Sequence, residues 1–240
     1  RRKRSVLASL FALSGLICWC GISQVTGNSI SSAFENAFQI PPLYSTLVLV
    51  AVAAVIVLRK HATVKVLDLI VPVMAACYFF LTLFIIGRNL GQLPAVFGQI
   101  FAEAFGLRQV VGGGLGAVIM NGAKRGLFSN EAGMGSTPHA HAMAKVKTPH
   151  EQGVVAMIGV FIDTFLVLTM TALVVISTLD AGNGPLAGGA AEGIDQSNMA
   201  QLAFSSVFGE GLGSIFVAVC LLFFAFSTIL SWNFFGKLNV

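Results

Sequence analysis

Long apolar runs separated by short polar stretches occupy most of the chain and predict its elements. Ser5–Val25, Val66–Ile86, Val154–Ser177 and Leu212–Trp232 each reach the ~20 residues a helix needs to cross a hydrocarbon core. Leu43–Leu58 is shorter, and Pro41-Pro42 sets its start, because proline fixes φ and has no amide hydrogen to donate. Gly114–Lys145 begins as another apolar run and is then interrupted. Leu93–Phe105 and Gln196–Phe208 carry apolar positions at helical spacing but are too short to span, which predicts amphipathic helices lying on the surface. The pattern predicts one all-α transmembrane domain over 1–240, with about six transmembrane helices, one of them broken.

The interruption lies in Gly126–His141, GLFSNEAGMGSTPHAH, directly after Lys124-Arg125. A charged side chain at bilayer depth costs at least ~2.5–3.5 kcal/mol on insertion scales, so it is rarely there without a task. Gly126, Gly133 and Gly135 each weaken a continuous helix by roughly 1 kcal/mol relative to alanine. The expectation is a first half-helix over Leu115–Phe128, irregular backbone from Asn130 to Thr137, and a second half over Pro138–Lys145. Thr137-Pro138 supplies the second start, since threonine caps and proline is tolerated at the first helical position. The end of the first half presents unpaired carbonyls around Leu127–Asn130, which suit an ammonium group or Na⁺. The start of the second presents amides near Gly135–His139, which suit an anion. A small zwitterion with a cation fits both ends, and interrupted helices at the midplane are how secondary transporters build such sites. Glycines that only let helices pack closely are the plainer alternative, yet packing alone does not call for Asn130 and Glu131. Lys124, Arg125 and Glu131 also read as a structural charge cluster. Asp163-Thr164, in the middle of the next span, reads equally as a partner for that cluster or as an ion ligand.

Composition agrees with the membrane reading: 56% of the 240 residues are apolar and 10% are charged, against ~25% charged in soluble domains. With the N-terminus inside, cytoplasmic segments collect Arg1, Arg2, Lys3, Arg4, Arg59, Lys60, Lys65, Lys145, Lys147 and Lys237, and the outer loops hold Arg88 and Arg108. That asymmetry follows the positive-inside rule only if the interrupted segment crosses once. It places both ends in the cytoplasm, and it explains the net charge of +4 without a nucleic-acid partner. The chain opens on Arg1 with no signal peptide, which suggests a piece of a longer protein. Cys18, Cys20, Cys77 and Cys220 all fall in apolar spans and read as buried thiols, with no spacing suited to zinc.

Several stretches look chemical without carrying chemistry. Gly112-Gly113-Gly114-Leu115-Gly116 lacks the GK[ST] ending of a phosphate loop. His139 and His141, two apart on a helix, point ~200° from each other and make a poor chelate. Ser136 with His139 could suggest a hydrolase, but the GxSxG elbow is missing. Gln24, Thr26, Gly27 and Asn28 interrupt the first apolar run. Thr228 and Trp232, four apart, share a helix face and offer a hydroxyl and a flat apolar wall. Ser227 and Thr228 could instead bond back to their own helix.

GAKRGLFSNEAGMGSTPHAHAMA (Gly122–Ala144) resembles the sixth transmembrane segment of the alanine-or-glycine:cation symporters, the sodium:alanine symporter family. SGLICWCGISQVTGNSISSAF (Ser14–Phe34) is similar to that family's third segment and FFAFSTILSWNFFGK (Phe223–Lys237) to its eighth. The resemblance covers segments three to eight of about eleven. It implies a partial LeuT-like inverted-repeat bundle, whose broken first and sixth helices meet at the midplane. It also implies substrate ligands at Gln24, Phe128, Ser129, Asn130, Glu131, Met134, Thr228 and Trp232, with Ser227 and Thr228 as candidate sodium ligands. The implied function is a sodium-coupled symporter of small neutral amino acids, alanine or glycine, in the cell (inner) membrane. It would work by alternating access, with sodium or a proton as the coupling ion and no other cofactor. Such a protein is not an enzyme, and its partners are the amino acid, the cation and the lipid bilayer. The first helix, which supplies half of the family's ligands, is absent, so this stretch alone is expected not to transport. A membrane channel and a membrane-embedded hydrolase are the alternatives from other classes.

Overall fold

A computed structural model of the chain describes residues 6–58, 62–105, 115–131, 135–180, 184–186 and 198–239. The described residues form helices joined by short turns: α1 (Val6–Phe38), α2 (Pro42–Leu58), α3 (Ala62–Arg88), α4 (Leu93–Phe105), α5 (Leu115–Asn130), α6 (Thr137–Ala142), α7 (Pro149–Asp180), α8 (Met199–Phe208) and α9 (Glu210–Asn239). A single 3-10 turn, Leu90–Gln92, precedes α4. Among the described residues, four helical stretches are long and apolar enough to cross a membrane: Val6–Phe38, Val71–Arg88, Pro149–Asp180 and Glu210–Lys237. Of the two other expected spans, α2 has 17 residues and α5–α6 is divided by the break. Large apolar side chains such as Leu7, Val48, Phe80 and Phe165 are exposed along these helices, as a lipid-facing or helix-facing surface requires. The described residues are helical apart from short turns, and their apolar helices are those of an integral membrane protein.

The polar residues Gln24–Asn28 do not end the first helix, which runs on to Phe38. Thr26 Oγ1 donates to the Ile22 carbonyl at 2.9 Å and Ser29 Oγ to the Val25 carbonyl at 3.2 Å. Hydroxyls that bond one turn back satisfy themselves inside the helix, so they need not mark its end.

The described residues fall into two compact units, and the boundary lies within α3 after Phe80. The first unit contains α1, α2, the start of α3, α8 and α9. Here α1 packs along α9, and α2 joins α1 through a hydrogen bond of 2.9 Å between the Ser31 and Thr46 hydroxyls. Trp19, Trp232 and Phe235 form one buried cluster, with Leu16 and Ile22 against it. Phe204 is the centre of a second: Tyr78 stacks on it at 5.6 Å between ring centroids and Phe216 at 5.7 Å.

The short α8 is tied firmly into this unit. A Cβ at Gly213 would lie 2.4 Å from the Ser205 backbone nitrogen, so only glycine lets α8 and α9 approach this closely. Gln201, 2% exposed, donates through Nε2 to the Ala33 carbonyl at 3.0 Å and to the Ser214 carbonyl at 3.2 Å, joining α8 to both α1 and α9. Its Oε1 is buried with no partner among the described residues, which offsets part of what the two bonds contribute. Gln201→Leu removes the bonds and the stranded oxygen together, so its expected destabilisation is modest, about 1 kcal/mol. A thermal unfolding midpoint in detergent measures it, and Gln201→Ala, which also leaves a hole, should lower the midpoint further.

The second unit holds the rest of α3, then α4 to α7. Proline at the first turn and Thr148 at the cap start α7: Thr148 Oγ1 accepts from the Glu151 amide at 3.4 Å, and Glu151 Oε2 accepts from the Lys147 amide at 3.1 Å. This is close to the reciprocal capping box, with the glutamate reaching one residue further back. Farther along, α7 widens into π-helix twice, at Ile162–Val167 and Ile176–Asp180. Beyond the first widening it buries Val174 and Leu179, and Asp180 accepts a hydrogen bond from Gln99 Nε2 of α4.

Candidate functional site

Among the described residues of the break, Glu131 and Gly135 take left-handed backbone conformations. α5 ends at Asn130, Glu131 follows at φ 55°, and Gly135 stands at φ 84°. Left-handed geometry is natural for glycine and costs a residue with a Cβ roughly 1–2 kcal/mol, so the Glu131 backbone must be held by other contacts. Residues 132–134, with the expected ligand Met134, lie outside the described residues. The second half-helix, expected over Pro138–Lys145, is the six-residue α6, with Pro138 in its first turn. Its turns close early, with the Met143 amide on the Ala140 carbonyl and the Ala144 amide on the His141 carbonyl.

Around the break the polar side chains meet in pairs. Ser129 Oγ donates to Asp163 Oδ2 at 2.9 Å, and Asn130 Nδ2 donates to Thr164 Oγ1 at 3.1 Å. Both partners sit in the first π segment of α7, a kind of helix defect frequent at functional sites. Ser136 Oγ donates to Glu131 Oε2 at 2.5 Å across the break. His139 Nδ1 lies 3.0 Å from the Ser136 carbonyl, which can only accept, so that nitrogen carries the proton. Lys124 and Arg125 are exposed, while Glu131 and Asp163 take hydroxyl donors. Asp163 and Thr164 are thereby the partners of the break. The Ser136 hydroxyl donates a hydrogen bond to Glu131, and His139 meets the Ser136 carbonyl, so Ser136 and His139 have a bracing geometry.

Asn130 and Glu131 line an open cleft of about 690 Å³, together with Gly135, Thr137 and His141 on one side and Phe161 and Phe165 on the other. Carboxylate, amide and hydroxyl oxygens on one wall suit an ammonium group or a hard monovalent cation, and the opposite wall suits apolar carbon. Phe128 and Ser129 precede them on α5 and are exposed.

The remaining expected ligands belong to the first unit. Gln24 is exposed on α1. On α9, Ser227 Oγ and Thr228 Oγ1 both donate to the Phe224 carbonyl, at 2.8 Å and 3.0 Å, and Ser231 Oγ donates to the Ser227 carbonyl at 3.0 Å. These hydroxyl protons are used within the helix, which leaves only the oxygen lone pairs as unused hydrogen-bonding capacity. Trp232 is 7% exposed, packs with Trp19, and lines a cleft of about 540 Å³ whose polar groups include Ser23, Asn233 and Lys237.

Among the described residues, four helices long enough to span a membrane, with a separate helix broken at a cluster of carboxylate, amide and hydroxyl groups, mark a membrane protein with a polar break among its helices. The chain belongs to the sodium:alanine symporter family, whose family profile matches residues 2–240. It is 35% identical to the sodium/proton-dependent alanine carrier protein of Bacillus sp. (strain PS3), an alignment covering 99% of this chain and 57% of that protein. It is 36% identical to the sodium/alanine symporter AgcS of Methanococcus maripaludis, covering 97% of this chain and 50% of the relative. It is also 37% identical to the probable sodium/glutamine symporter GlnT of Bacillus subtilis, covering 91% and 44%. The chain thus spans about half the length of the curated relatives it matches.

Proposed function

We propose that the complete protein is a sodium-coupled symporter of small neutral amino acids, alanine or glycine, that works by alternating access on a LeuT-like bundle in the cell membrane. Both ends of the present chain are then cytoplasmic, as the lysine and arginine asymmetry suggests. The observation that carries the reading is the break between Asn130 and Ser136, tied to Asp163 and Thr164 of α7 within a chain of this family. Carbonyls at the end of α5 and the Glu131 carboxylate hold the amino group and a cation. Asn130, Ser129, Phe128 and Met134 are the further substrate ligands we propose in the second unit, and Gln24, Thr228 and Trp232 those in the first, with Ser227 and Thr228 offering oxygens to sodium. Sodium bound beside the amino acid lowers the energy of the doubly loaded state, and the ion gradient then drives accumulation. A relative named for sodium and protons keeps the proton as the alternative coupling ion, and one named for glutamine sets the upper size of substrate to test.

Equilibrium binding of tritiated alanine to the complete protein in detergent tests this. Binding should require Na⁺, with choline unable to replace it. Glycine should compete while leucine and glutamine do not. Binding indifferent to Na⁺, or displaced equally well by glutamine, overturns the coupling ion or the substrate size respectively.

A further inference from the structure

We propose that Ser136 is a positioning residue that clamps the Glu131 carboxylate across the helix break and so sets the affinity of the site for its cation; this rests on the symporter reading above. Glu131 occupies a left-handed conformation that a side chain with a Cβ does not adopt unaided. A carboxylate at bilayer depth also needs a hydrogen-bond donor, because an unpaired charge in a low-dielectric region is costly. Ser136 answers both requirements. It is 3% exposed, so its hydroxyl has little access to water, and that hydroxyl donates to Glu131 Oε2. A hydroxyl bonded to an ionised acceptor is among the stronger hydrogen bonds a protein makes.

The clamp is itself held in place. The His139 backbone amide donates to the Ser136 carbonyl at 3.0 Å, and His139 Nδ1 approaches the same oxygen at 3.0 Å. Ser136 therefore stands fixed at the cap position before α6, with its side chain reaching back five residues to Glu131, just past the end of α5. Gly135, at φ 84°, makes the turn that aims it there. Without the hydroxyl, the carboxylate loses its orientation on the cleft wall while Asn130 keeps its bond to Thr164. The loss should appear in cation dependence before it appears in folding.

The test uses the complete protein and Na⁺-dependent alanine binding. Ser136→Ala is expected to raise the Na⁺ concentration for half-maximal binding about tenfold, the size of one charged hydrogen bond. Its unfolding midpoint should stay near that of the wild type, and Ser136→Thr, which keeps the hydroxyl, should restore the Na⁺ dependence. A Ser136→Ala protein within about twofold of wild type in Na⁺ dependence overturns the clamp, on the same scale. So does a Ser136→Thr protein as impaired as Ser136→Ala. If Ser136→Ala does not fold, Ser136→Thr decides alone: wild-type Na⁺ dependence supports the clamp and a shifted one overturns it. Wild-type binding without any Na⁺ dependence removes the symporter reading before a variant is compared, so the two failures are distinct.

Discussion

Asn130→Ala in the complete protein is expected to reduce Na⁺-driven alanine uptake by roughly 5- to 150-fold, the range that follows from losing about 1–3 kcal/mol of polar contact in a confined site. Asn130 is the last residue of α5, bonds Thr164 of the π segment at 3.1 Å, and lines the cleft beside Glu131. Its removal strands the Thr164 hydroxyl and frees the end of α5 at the place where the backbone turns into the break. Both effects fall on the loaded site, so uptake should fall even with saturating alanine, while the unfolding midpoint changes little. Uptake by Asn130→Ala within twofold of wild type would remove Asn130 from the site.

Trp232→Ala carries the largest expected cost in stability. Trp232 is 7% exposed and packs with Trp19 and Phe235, each buried to a similar degree. Large-to-small changes at buried tryptophan cost ~3–5 kcal/mol in soluble cores. Lipid is as apolar as the side chain, so little of the transfer contribution survives in a membrane, and the cavity and lost dispersion remain. The expectation is therefore the low end, about 3 kcal/mol. A thermal melt in detergent checks it, and Trp232→Phe should recover more than half of the loss. Equal midpoints for Trp232→Ala and wild type would show that the Trp19–Trp232–Phe235 cluster does not hold α1 to α9.

The sequence made the apolar helices and the position of the break legible because both depend on local composition. Apolar runs as long as Val6–Phe38 and Glu210–Lys237 have few structures open to them other than long helices. The glycines flanking Asn130-Glu131 similarly announce a place where a helix cannot continue cheaply. Contacts across the chain were less legible. Asp163-Thr164 stood out as polar residues in a span, but the π segment that turns them to Ser129 and Asn130 has no composition of its own. Ser136 resembled a weak nucleophile in sequence; its partner is Glu131, five residues back across the break. Gln201 carried no signal at all, since an amide in a short helix looks like surface until two distant carbonyls are found against it. α7 starts at Pro149, ahead of the expected span at Val154, because its cap at Thr148 lies in polar residues before the apolar run. Gln24, Thr26, Gly27 and Asn28 misled in the other direction, by suggesting an interruption inside a helix that runs through them and absorbs the Thr26 hydroxyl.

Radiolabelled alanine uptake is measured in proteoliposomes carrying the complete protein, with an inward Na⁺ gradient and with the gradient collapsed. The account predicts accumulation above equilibrium only with the gradient, inhibited by glycine. Alanine that enters at the same rate and stops at equilibrium under both conditions would contradict it.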